Sequence, residues 1–164
     1  VKIGLDKPMK YETVFTEKEI KSIAFAPAIA ANGVAMVDGT ISEEETLTIS
    51  AHLLDATDRY RHNDLIMLAI RSFSRLMQTG DMPGEMRYIK SPEEYLRAFR
   101  KVGKMIDKKA NNDEGKEYKR FLVDIMRQVA SSSGNKRRSF FGKGNVSEKE
   151  QQFLDHISDI LKIK

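Results

Sequence analysis

The sequence predicts an all-α fold, a compact orthogonal bundle of six to seven helices. Three observations carry that expectation. Apolar residues recur at helical spacing along most of the chain. Three Ser/Thr-x-x-Glu capping boxes begin such runs, at Thr16–Glu19, Ser42–Glu45 and Ser147–Glu150. Period-two alternation is missing, and β-branched residues are scattered. With 164 residues, 40% hydrophobic and 32% charged, and a mean hydropathy of −0.48, the chain can fill one core under well-solvated helix faces.

Residues 1–15 carry Gly4 and Pro8 without a period and read as an extended N-terminal arm; residues 16–164 read as the helical domain. The first helix opens at the Thr16 box and presents Ile20, Ile23, Ala24, Ala28, Ala31 and Ala35. Pro27 inside it removes one N–H and should kink or split it. Asp38-Gly39 closes the run. The second helix follows Ser42, with Leu47, Ile49, Leu53 and Leu54 as its apolar stripe and three acids at its positive end. Residues 55–63 are polar and read as a turn. Asn63 or Asp64 caps a third helix carrying Leu65, Ile66, Leu68, Ala69, Phe73, Leu76 and Met77, stopped by Gly80 to Gly84.

Ser91-Pro92-Glu93-Glu94 is a cap, a first-position proline and two first-turn acids. The fourth helix then carries Tyr95, Phe99, Val102 and Ile106 to about Lys109. Asn111-Asn112-Asp113 interrupts, and a fifth helix carries Tyr118, Phe121, Leu122, Ile125, Met126 and Val129. Residues 131–145 read as a Gly/Ser/basic loop. The last helix follows the Ser147 box with Phe153, Leu154, Ile157, Ile160 and Leu161.

Composition excludes several chemistries. There is no cysteine, so disulfides, thiolate metal sites, iron–sulfur clusters and thiol nucleophiles are out. No window approaches the roughly 20 apolar residues of a membrane span, and the first residues are neither signal nor transit peptide. No G-x-x-x-x-G-K-[ST] or G-x-S-x-G pattern is present; Gly142-Lys143-Gly144-Asn145 lacks that order and a preceding strand. Ser131, Ser132 and Ser133 have no evident base, and Asp107, Asp113 and Asp124 show no pairing pattern. His52, His62 and His156 form no i, i+4 metal pair and read as ordinary core or surface residues. A non-enzymatic protein without organic cofactor is expected.

The net charge is +4 with an isoelectric point near 9.2, unevenly spread. Residues 1–82 hold nine Lys and Arg against twelve Asp and Glu; residues 83–164 hold nineteen against twelve. The basic half suits nucleic acid or an anionic membrane surface, or is a solvated face. Lys136-Arg137-Arg138-Ser139-Phe140-Phe141 concentrates this, with three cations for phosphate and two aromatics to stack or dip into lipid; alternatively the aromatics tuck into the bundle.

The chain also echoes itself. Val34-Ala35, a Gly turn, then Thr40-Ile41-Ser42-Glu43-Glu44-Glu45 parallels Val129-Ala130, a longer Gly loop, then Asn145-Val146-Ser147-Glu148-Lys149-Glu150. Each Ser follows an apolar residue that suits a staple. The stretches AMVDGTISEEE, VGKMIDKKA and VASSSGN…FFGKGNVSEKEQQFLDHI resemble the tellurite-resistance TerB family and its TerB-like relatives over most of residues 16–161. The resemblance implies an internally duplicated helical fold, a cytoplasmic bacterial stress-response role with protein partners, and acids that bind a divalent cation. Position by position it marks Asp38, Ser42 and Glu45 in the first turn and Glu150 in the second.

Two roles are open for these residues. Hard cations such as calcium, magnesium or manganese take about six to eight oxygen ligands, and Asp38, Thr40, Ser42 and Glu45 sit within one turn, with Glu43 and Glu44 adding negative potential. Zinc would draw on carboxylates and histidine from distant segments. The stretch is not an EF-hand loop, because Gly39 comes second rather than sixth. Capping accounts for the same residues, and a Glu45 folded back onto Ser42 is not free for a metal. Lys143-Gly144 stands where the first turn has Asp38-Gly39, so at most one site is expected.

Overall fold

A computed structural model describes residues 9–37, 43–81, 89, 91–137 and 146–163, with the side chains of 43–50 and 132–137 outside that description. Six helices and no strand occur among the described residues: α1 (Glu17–Val37), α2 (Glu43–Arg59), α3 (Asp64–Thr79), α4 (Pro92–Lys109), α5 (Asn112–Arg137) and α6 (Glu148–Leu161). The all-α bundle expected from the sequence is the one observed.

The caps fall where their residue types allow. Thr16 Oγ1 accepts from Glu19 N–H at 3.3 Å while Glu19 Oε2 accepts from Thr16 N–H at 2.8 Å. Ser91 with Glu94 and Ser147 with Glu150 close the same reciprocal box. Asn63 caps α3, its Oδ1 taking the N–H groups of Leu65 and Ile66, both at 3.0 Å. Gly80, at φ 69°, ends α3 in the left-handed conformation that a side chain would resist.

Helix α1 is the axis of the molecule. It packs against α5, α3, α4 and α6, and touches α2. Beyond its polar first turns it is enclosed; Ile23, Ala24, Phe25, Ala26, Ile29, Ala30, Ala31, Val34 and Ala35 are all buried. Its length and apolar composition meet the requirement for crossing a membrane, which corrects the expectation that no segment does. Its most apolar window has a mean hydropathy of 1.5, and 61% of that window is buried inside the bundle. Close packing sets Gly33, where an added Cβ would lie 3.1 Å from Phe153 and 3.2 Å from Tyr95. A side chain there would require the Phe153 and Tyr95 rings of α6 and α4 to give by a few tenths of an ångström.

Pro27 does not split α1; one helix runs from Glu17 to Val37. Proline has no N–H for the carbonyl four residues back, which is Ile23. The Tyr118 hydroxyl of α5 donates to that carbonyl at 2.7 Å. Both partners are in the core, and burial pushes the Tyr118 phenol far up, so it stays a donor. The helix defect is thereby turned into a bond between the two helices with the most extensive mutual packing.

Four other local expectations differ from what is observed. Residues 9–15 form turns rather than an extended arm, with Phe15 N–H to Tyr11 O at 3.1 Å, and Tyr11 and Phe15 enter the core. The segment 55–59 continues α2, because Ala56 is buried and Asp55 pairs with Arg59 one turn on, at 2.6 Å. Leu54 is 74% exposed, outside the apolar stripe assigned to α2, while Leu53 is partly buried against the core. Helix α5 continues through residues 131–137, expected as loop; once a helix is formed, each further residue adds a bond without a new nucleation cost. Residues 138–145 lie outside the described residues.

The Pro27–Tyr118 arrangement sets a test. Tyr118→Phe should destabilise the fold by about 1–3 kcal/mol, the cost of a buried carbonyl left without a donor. In a Pro27→Ala background, where the restored backbone N–H can reach the Ile23 carbonyl, the same change should cost clearly less. A double-mutant cycle from urea unfolding measures the difference; equal costs in both backgrounds would refute the coupling.

Candidate functional site

Of the four residues proposed to hold a cation, Asp38 and Ser42 lie outside the described residues. Glu45 sits in the first turn of α2, with its side chain outside the description. Glu150 is described and buried at the third position of α6. Its Oε2 accepts from Ser147 N–H at 2.8 Å, and Ser147 Oγ accepts from Glu150 N–H at 3.1 Å. Those contacts are a helix cap. Among the described residues no group of three or more His, Asp or Glu is arranged to hold an ion. In the basic stretch, Lys136 and Arg137 end α5 with undescribed side chains, and Arg138 to Phe141 lie outside the described residues.

The echoed halves do meet. Each consists of a helix, a junction and a second helix: α1 and α2, then α5 and α6. The two leading helices pack on each other, α2 rests on α5, and α6 rests on α1. That crosswise pattern is the one an exchange of halves about an axis between α1 and α5 would produce.

A dense polar cluster among the described residues was not read from the sequence. It gathers the N-terminal turn, the start of α3 and the start of α5. Tyr11 Oη donates to Glu114 Oε2 in a very short contact, and Lys10 Nζ reaches the same oxygen at 2.8 Å. Tyr11 Oη also accepts from Asn111 N–H at 2.9 Å. Asn111 Oδ1 in turn accepts from Asp113 N–H at 3.0 Å, capping α5. Asn63, wholly buried, donates through Nδ2 to the Glu114 carbonyl at 3.2 Å and to Glu117 Oε2 at 2.7 Å. His62 Nε2 lies 2.9 Å from Glu117 Oε1.

Burial opposes ionisation of Glu114, but hydrogen bonds from Lys10, Tyr11 and the Asp64 N–H outweigh it and hold the carboxyl below its ordinary value. Burial, and then the bond to Glu114, push the Tyr11 phenol up. Each group is therefore fixed in the form that the other needs. The cluster fastens three chain segments; its donors and acceptors are used on one another. The sequence signal was present in Tyr11 and Phe15, two aromatics four residues apart in the N-terminal arm.

His52 is a different case. Its ring stacks on Phe121 of α5, with centroids 6.2 Å apart and planes 14° apart. Its Nε2 and the Ser72 hydroxyl are the buried side-chain polar atoms without a hydrogen-bond partner among the described residues. Burial, then the Arg59 charge on the same helix, lower the His52 pKa; Asp124 of α5 and Asp55 of α2 oppose them. The ring is thus a packing element in its neutral form.

A shallow cleft between the end of α1 and the start of α4 is lined by Gly33, Met36, Val37, Ser91, Pro92 and Tyr95. At about 60 Å³ it is far smaller than the ~300–1,000 Å³ of pockets that enclose drug-sized ligands.

Two outcomes follow for the titrating groups. Because the folded state lowers the His52 pKa, its contribution is complete above the unfolded value of about 6.5 and is lost as pH falls through the folded value. Melting temperature should drop between pH 7 and 5 in the wild-type chain, and drop less in His52→Phe, which keeps the stack; parallel profiles would contradict this. Glu114 follows the same sign at lower pH. Glu114→Gln should cost about 1–2 kcal/mol at pH 7, and the gap to wild type should close as pH falls below about 4, read by urea midpoints at each pH.

No family model matches the chain, and no curated protein or solved structure matches it.

Proposed function

We propose that the chain is a non-enzymatic interaction module of the TerB-like kind whose leading junction, Asp38 to Glu45, takes one divalent cation. The observation that carries this reading is the crosswise packing of the echoed halves, with α1 against α5, α2 on α5 and α6 on α1. It supports treating the two Ser-x-x-Glu junctions as structural counterparts. Their chemistry then differs in an informative way. The trailing junction uses Glu150 in its own cap and has Lys143 where the leading one has Asp38. The leading junction keeps Asp38, Ser42 and Glu45 together with the acids Glu43 and Glu44. One junction serves as a cap, and the other as an oxygen-rich site for calcium, magnesium, manganese or zinc. By the same resemblance, a cytoplasmic stress-response setting with protein partners, tellurite resistance included, belongs to this reading.

Calorimetric titration with each of the four ions tests it. One ion should give heat at a stoichiometry of one and raise the melting temperature, with about 2.7 kcal/mol of added stability at a hundred times its Kd. Asp38→Asn should weaken that ion at least tenfold while leaving the ion-free melting temperature in place. Glu45→Ala should lower affinity and also cost about 1 kcal/mol of cap stability. No heat with any ion, or variants that change stability alone, would leave the junction as a cap and overturn the proposal.

A further inference from the structure

Helix α4 presents a row of cations to solvent. Arg97, Arg100, Lys101, Lys104 and Lys108 are all exposed, at spacings of three, four, seven and eleven residues from Arg97. At 100° per residue they occupy one strip about 100° wide, opposite the buried Tyr95, Phe99, Val102 and Ile106. With a rise of 1.5 Å per residue the strip is about 17 Å long.

Among the described residues, most cations outside this row are neutralised. Lys10 pairs with Glu114, Lys21 with Glu17 and Asp81, Arg59 with Asp55, Arg61 with Asp58, and Lys109 with Glu19. In the row on α4, Arg97, Arg100, Lys104 and Lys108 have no carboxylate within ion-pair distance among the described residues. The acids of α4 do not cancel the row. Asp107, at its edge, is held by Lys119 of α5, Glu94 is folded back onto the Ser91 N–H in the α4 cap, and Glu93 lies one turn before Arg97, at the end of the strip. Next to Lys119 on α5, Lys116 and Arg120 are exposed and add positive charge on that side.

We propose that this face of α4 binds the phosphate backbone of a double-stranded nucleic acid without reading its sequence. One strand of B-form duplex carries a phosphate every 3.4 Å of axis, so a 17 Å row spans about five phosphates. A charge row that regular matches a polymer of evenly spaced anions. The centre of a protein–protein patch is instead depleted of lysine and rich in aromatic residues. Single strands are held by aromatic platforms, and the aromatic residues of α4, Tyr95 and Phe99, are buried. A lipid surface is held firmly by apolar side chains inserted beside the cations. Among the described residues the exposed large hydrophobics are Val14, Met36, Leu54 and Met77, none of them on α4. The site is independent of the Asp38–Glu45 junction, and neither reading depends on the other.

Fluorescence anisotropy of a labelled 20-base-pair duplex tests the proposal on the full chain. Binding should be independent of duplex sequence, with log affinity falling against log salt at a slope of about −4 for four to five phosphate contacts. Between 50 and 200 mM salt the affinity should fall by about two orders of magnitude. The quadruple variant Arg97→Gln, Arg100→Gln, Lys104→Gln, Lys108→Gln should bind at least thirtyfold more weakly at 50 mM salt, with a slope near −1. Its circular dichroism and melting temperature should match wild type. The half-row variant Lys104→Gln, Lys108→Gln should give an intermediate slope, and it carries the test if the quadruple variant does not fold. The control Arg59→Gln, Arg61→Gln, which removes cations that are already paired, should stay within threefold of wild type. Failure to bind duplex at 50 mM salt overturns the proposal. So does binding that survives loss of the row, a preference for a single strand, or row-dependent capture by phosphatidylserine vesicles but not by duplex.

Discussion

The structure depends on what becomes of one carbonyl group. Pro27 deprives Ile23 of its helical partner in the buried core, and an unmet carbonyl there is costly. Tyr118 supplies the missing hydrogen bond from α5. The requirement fixes more than a distance. It sets the rotation of α5 about its axis, because Tyr118 must face α1, and with it the placement of Phe121, Leu122, Ile125 and Met126 on the same core. It also sets the register of α5 along α1. The helices that rest on this pair inherit that register, α2 on α5 and α6 on α1.

A second constraint acts at the ends of helices. Five of the six described helices begin with side chains that close backbone N–H groups, through Thr16, Asn63, Ser91, Asn111 and Ser147. Most of these devices are local. The cluster around Glu114 is not, since it draws in Tyr11 from the N-terminal turn and Asn63 from the start of α3. It is the polar counterpart of the Tyr118 bond, which fastens α5 to α1 within the first third of each helix, while the cluster fastens three chain segments.

Much of the fold could be read from the chain because helical spacing and caps are local signals. The runs from Tyr95 to Ile106 and from Tyr118 to Val129 are buried as their spacing demands. What escaped was set by distant partners. Nothing near Tyr11 shows that its hydroxyl meets Glu114, and nothing near Pro27 shows which residue answers it. Residues 55–59 look like a turn by composition, yet burial of Ala56 holds them helical. Of the proposed cation ligands, Glu150 was identifiable both as a cap and as an acid, and its observed bonds are those of the cap. The basic row on α4 was implicit in the charge excess of the second half, but that excess pointed first to residues 136–141. The spacing of Arg97, Arg100, Lys101, Lys104 and Lys108 mattered more than the density of charge.

Threading the most apolar helix through the centre also has a consequence for biosynthesis. Ile23 and Tyr118 are separated by about 95 residues, and at ~5–20 residues per second a ribosome needs roughly 5–20 s to deliver the second after the first. Through that interval α1 has emerged without the helix that completes it. A nascent segment of that composition is the kind that holdase chaperones retain, so the sequence places its main demand on quality control early, before the domain has a core to hide it.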